Sequence, residues 1–127
     1  MKSSRAQPEE GQEANYLGIR QQLIGLIKKG KRQNAFTKHR PTKVCPWKIP
    51  SPESGVPLSE AGMWSQIVRL LESGIPLEKT PLRQPPGEIA WVCRARLAPN
   101  STLIYIKLQI LGSRVLLRSF HPAEYDD

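Results

Sequence analysis

Residues 103–111, LIYIKLQIL, put an isoleucine or leucine at 104, 106, 108 and 110 and set Tyr105, Lys107 and Gln109 between them. A side-chain period of two belongs to a β-strand and conflicts with the 3.6-residue period of a helix. Ile104, Ile106, Leu108 and Ile110 must therefore face a core while Tyr105, Lys107 and Gln109 face the other way. Residues 89–97 repeat the pattern, with Ile89, Trp91, Cys93, Ala95 and Leu97 on one face and Ala90, Val92, Arg94 and Arg96 on the other. After 111, Gly112-Ser113 reads as a two-residue type II′ turn that folds a third strand back along the second. Three antiparallel strands thus finish the chain, with one face apolar and one chemical.

Register follows from making the apolar faces coincide, because a slip of one residue turns a whole strand over. Leu97 is expected opposite Ile104, with residues 99–102 as the connecting loop. Arg96 then falls opposite Tyr105 and Arg94 opposite Lys107. The second hairpin puts Arg118 opposite Lys107, Phe120 opposite Tyr105 and His121 opposite Ile104, on the apolar face. Like charges directly opposite across strands are destabilising, so Arg94, Lys107 and Arg118 together call for an anionic ligand. The alternative is that the long side chains splay into water.

Upstream, residues 14–29 place Tyr16, Leu23, Ile24 and Ile27 near one helical stripe, with Gly30 at the C-terminal cap position. A second helix is expected from Leu58 to Gly74, capped by Ser59 and striped by Met63, Ile67, Leu70 and Leu71. Between them, residues 31–57 contain Pro41, Pro46, Pro50, Pro52 and Pro57 and can hold neither a long helix nor a central strand. Trp47 and Phe36 are expected to anchor this segment to the core, and Cys45-Pro46-Trp47 has no assigned role. Pro76, Pro81, Pro85 and Pro86 make a second, turn-rich segment carrying Lys79 and Arg83. Residues 1–13 are polar and aperiodic, the signature of a disordered tail. Residues 14–127 read as one domain, the size expected for 127 residues.

The formal net charge is +8. Nine cations from Arg20 to Lys48 follow one another with no acidic residue between them, so the rest of the chain is close to neutral and the basic region is local. That distribution suits a polyanionic partner; a solvated arm is the competing reading. Cys45 and Cys93 lack the spacing of a zinc or redox pair, so no metal and no cofactor are expected. No apolar run is long enough to span a bilayer and the charged start leads into no apolar segment. A soluble, cytoplasmic protein without a membrane partner is the expectation.

The stretch IYIKLQILGSRVLLRSFH, residues 104–121, resembles the closing hairpin of MqsR-type toxins, a Tyr-x-Lys strand, a short turn and a strand ending in Ser-Phe-Lys. WVCRARL, residues 91–97, is similar to that family's Arg-x-Arg-Leu strand. Gly62-Met63 through Leu71 resembles its second helix, and IRQQLIGLIKKG, residues 19–30, its first. The resemblance implies an α+β chain, a twisted antiparallel sheet packed by N-terminal and central helices in the RelE-like microbial ribonuclease fold. It also implies a toxin of a bacterial toxin-antitoxin pair that cleaves mRNA without metal and is held in check by a cognate antitoxin. By position, the family's catalytic lysine corresponds to Lys79, its strand tyrosine to Tyr105 and its C-terminal lysine to His121, while its glutamine ahead of the Arg-x-Arg strand falls on Ala90.

Metal-free RNA cleavage needs a base, an acid and cations on the phosphoryl oxygens. Histidine titrates near neutrality, which makes His121 the candidate acid or base. Tyr105 can donate to a phosphoryl oxygen or stack on a base. Lys79, Arg94, Arg96, Lys107, Arg118 and Arg83 would hold phosphates, arginine being suited to bidentate contact. A non-catalytic RNA- or DNA-binding module using the same cations is the alternative.

Overall fold

The computed structural model describes residues 16–35, 43–83 and 85–123. Helix α1 (Leu17–Lys28) is followed by strand β1 (Arg32–Asn34), a 3₁₀ turn (Pro46–Lys48), helix α2 (Glu60–Glu72) and strands β2 (Glu78–Pro81), β3 (Ile89–Arg96), β4 (Leu103–Leu111) and β5 (Arg114–Pro122). The class is α+β, a five-stranded sheet in the order β1-β5-β4-β3-β2 with two helices. The sheet is mixed, not wholly antiparallel as expected, because β1 pairs with β5 in parallel. Residues 32–34 precede Pro41, the first proline of 31–57, so the start of this segment is free to supply a short edge strand. The expected tail, residues 1–13, lies outside the described residues, and so does Phe36. Among the described residues no helix is long and apolar enough to cross a membrane.

Both helices end as their glycines dictate. Gly30 (φ 80°) and Gly74 (φ 84°) occupy the left-handed region, and Lys31 N–H donates to Leu26 O while Gly30 N–H donates to Ile27 O. That pair of bonds is a Schellman cap. At the other end of α2, Ser59 accepts from Gly62 N–H at 3.0 Å, the expected N-cap. Trp64, Met63, Ile67 and Leu71 from α2, with Leu23 and Ile27 from α1, cover one sheet face made of Trp91, Cys93, Ile104, Ile106, Leu108, Val115, Leu117 and Phe120.

Arg20 departs from expectation. It belongs to the basic run, yet it is buried between the helices and donates to Leu71 O at 3.0 Å and Ile75 O at 2.7 Å. Arg32 also turns inward, bonding Ile27 O and lying 5.6 Å from the Trp64 ring. The run of cations is therefore not one solvated face. Trp47 is 56% exposed and stands outside the hydrophobic core it was expected to join; Val44, Pro46 and Ile49 are buried in its place.

Burial pushes the Cys93 thiol up to about 12, against smaller opposing pulls from Arg20 and Arg94. A free cysteine ionises near 8.5, so the native thiol stays protonated where an unfolded one does not. The stability this contributes is present below about pH 8.5 and fades as pH rises toward the native value of about 12. In a Cys45→Ser background, Cys93 is expected to react with a disulfide reagent at pH 8.5 only at the rate of global unfolding; a fast phase would contradict this.

Candidate active site

The predicted hairpins form, but with two corrections that decide which side chains meet. β3 and β4 pair as Arg94↔Tyr105, Ala95↔Ile104 and Arg96↔Leu103, two residues from the expected register. Faces are preserved by an even shift, but Arg94 moves from Lys107 to Tyr105. The cause is a longer loop: Asn100 adopts φ 67°, Ser101 ties both its hydroxyl and its N–H to Ala98 O, and the Arg96 guanidinium donates to Ser101 O. Arg96 is thereby committed to the hairpin.

The second correction is a β-bulge. From the turn, β4 and β5 pair as expected through Leu108↔Leu117, but then Lys107 pairs with Ser119, Ile106 with Phe120 and Tyr105 with His121. One extra residue, Arg118, has been absorbed. A bulge reverses the facing of everything after it. Phe120, expected beside Tyr105, enters the core and is fully buried, and His121, expected on the apolar face, crosses to the side of Tyr105.

The result is an aromatic and cationic cluster. The His121 and Tyr105 rings lie 5.5 Å apart, centroid to centroid. The Arg94 guanidinium lies 5.0 Å and the Lys107 ammonium 5.9 Å from the Tyr105 ring centre, within cation–π range. Arg94 also meets Glu78 at 3.4 Å, and Arg118 donates to Gln109 Oε1 at 3.0 Å, whose amide donates to Glu88 at 2.6 Å. The expected like-charge crowding is thus relieved by the Tyr105 ring and by two carboxylates that sequence reasoning passed over. The pairing of β2 with β3 sets Glu78 with Thr80 on the side of Val92 and Ala90, a placement that no apolar pattern in 78–81 announces.

His121 Nδ1 lies 2.8 Å from Pro122 O. A carbonyl can only accept, so Nδ1 carries the proton, and in the neutral ring the lone pair sits on Nε2. Tyr105 and His121 are buried, Lys107 and Arg118 half-buried and Arg94 exposed. This face is not the open, solvated surface of the alternative reading, for Ala90, Val92, Gln109 and Ser119 are buried on it too; apolar Ala90 and Val92 give β3 two faces fit for burial.

The cluster gathers Arg94, Tyr105, Lys107, Arg118 and His121. It does not gather Lys79, which pairs with Trp91 and so shares the opposite face. Arg83 is exposed in the turn after β2. No protein-family model matches the chain, and no curated protein and no solved structure matches it.

Proposed function

We propose that the chain is a metal-independent endoribonuclease, the mRNA-cleaving toxin of a bacterial toxin-antitoxin pair, built on a RelE-like fold of the MqsR type. The observation that carries this reading is the bulge, which brings His121 opposite Tyr105, the ring that Arg94 and Lys107 approach. In the reaction the ribose 2′-oxygen bonds to phosphorus as the bond to the 5′-oxygen breaks. A base takes the 2′-proton, an acid protonates the departing 5′-oxygen, and cations hold the phosphoryl oxygens as charge builds. His121 takes or returns the proton through Nε2, with Nδ1 fixed by Pro122 O. Tyr105 donates to a phosphoryl oxygen, and Arg94 and Lys107 balance its charge. Lys79 is left out of this assignment because of its face. The cognate antitoxin would cover the cationic side and exclude RNA.

A second reading draws on burial: His121 is 3% and Tyr105 8% exposed, whereas Arg94 is open to solvent. A non-catalytic RNA- or DNA-binding module would use the outer cations alone. The test separates the two. In EDTA, the purified chain is expected to cut a naked mRNA, and His121→Ala to lower the rate by about 100-fold or more while retaining RNA affinity. Binding without cleavage, unchanged in His121→Ala, would select the binding module.

A further inference from the structure

Trp47 stands apart from the other two tryptophans. Trp64 and Trp91 are buried, 2% and 9% exposed, while Trp47 presents its indole at 56% exposure. It does so from a tightly held turn. Cys45 N–H donates to Phe120 O at 2.7 Å and Phe120 N–H to Lys43 O at 2.8 Å, so 43–45 lies along the outer edge of β5 beside Ser119 and His121. Lys48 N–H returns to Cys45 O and Ile49 N–H to Pro46 O, both at 3.0 Å, while Pro46 and Ile49 are buried beneath. Leu58 N–H to Ile49 O, at 2.9 Å, closes the next loop. An aromatic side chain on a backbone this constrained loses little entropy when a partner covers it.

The charged residues nearest to it in the chain are lysines. Lys43 and Lys48 flank Trp47 and are exposed, and no acidic residue occurs between Arg20 and Lys48. The next carboxylate, Glu53, is turned to Arg69 at 2.7 Å and Ser51 at 3.1 Å. A π-face with a lysine on either side in the chain is an arrangement that holds an unpaired nucleotide, base on ring and backbone on ammonium groups. We propose that Trp47, with Lys43 and Lys48, is a stacking platform for single-stranded RNA, binding a nucleotide next to the one at His121. This rests on the RNA reading of the neighbouring cluster and adds a subsite to it: Trp47 selects unpaired over paired substrate.

The probe is a labelled 2′-O-methyl oligouridine, which lacks the nucleophile and so reports binding independently of catalysis, beside its duplex with oligoadenosine. The single strand is expected to quench tryptophan emission, since Trp47 alone of the three is exposed. Trp47→Ala should weaken single-strand binding about tenfold, Trp47→Phe much less, and neither should alter duplex binding. Lys43→Ala and Lys48→Ala should each reduce the salt slope by about 0.7. Single-strand affinity unchanged in Trp47→Ala, an equal loss on the duplex, or a loss in Trp47→Phe as large as in Trp47→Ala overturns the proposal. So does a Trp47→Ala effect confined to self-association in the ultracentrifuge, which would mark a protein contact. If stacking holds but EDTA-resistant cleavage is absent, the ribonuclease reading fails and the platform stands; cleavage without stacking gives the reverse.

Discussion

Replacing Arg20 by methionine is expected to lower the unfolding free energy by about 3 kcal/mol, read as a shift in the urea midpoint at constant slope. The guanidinium is 4% exposed and spans from α1 to the end of α2, one nitrogen on Leu71 O and the other on Ile75 O. Leu71 O lies in the last turn of α2, where the negative end of the dipole favours a cation, and Ile75 O follows just past the helix end. Burial draws the Arg20 pKa down, and the nearby Cys93 opposes that. Methionine keeps the volume but leaves two carbonyls short of a charged donor inside the protein. Arg20→Lys should lose about half as much, because one ammonium cannot fork to both acceptors. Arg69→Ala is the control: its ion pair with Glu53 has both partners more than half exposed, and its removal should cost under about 1 kcal/mol. If Arg20→Met matched the parent, desolvation of the guanidinium would outweigh its two bonds.

Arg20 illustrates where sequence reading fails. Its helix was legible from the stripe of Leu23, Ile24 and Ile27 and the glycine at 30, and α2 from Ser59 and its apolar spacing, because local propensity and pattern agree there. Arg20 lies on that same stripe, but nothing local distinguishes a buried arginine from a solvated one; its partners lie 51 and 55 residues away. The strands of 89–121 were legible for the same reason as the helices, and so was the two-residue turn at Gly112-Ser113. What escaped was anything set by non-local balance: the two-residue register change that Ser101 and Asn100 impose, the parallel pairing of β1, and the bulge. Arg94, Tyr105 and Lys107 were placed on one face by alternation alone. His121 reached that face only through a defect in alternation, and Lys79 was excluded by a pairing with Trp91 that no pattern in 78–81 announces.

The bulge follows from a competition between Phe120 and His121, and it yields the second large effect. Were β5 to continue in the register of Leu108↔Leu117, Phe120 would stand on the cationic face and His121 would enter the core. Burying an imidazole without partners costs more than the roughly 1 kcal/mol net of one ladder bond. Burying the Phe120 ring returns about 2–3 kcal/mol, so the chain gives up regular pairing at Arg118. Phe120, fully buried and held through both its backbone N–H and carbonyl by 43–45, is therefore the residue that sets the site. Phe120→Ala should cost about 3–5 kcal/mol and weaken the cross-strand Tyr105–His121 contact seen by NMR, because alanine gives the bulge little to gain. Phe120→Leu should cost less and keep the contact. Deleting Arg118 tests the same logic from the other side: without it, Leu117, Ser119, Phe120 and His121 alternate onto the faces they now occupy. The shortened hairpin should retain the Tyr105–His121 contact while losing the Arg118–Gln109 bond. A deletion that instead drove His121 inward would mean that the extra residue, not the burial of Phe120, orients the strand.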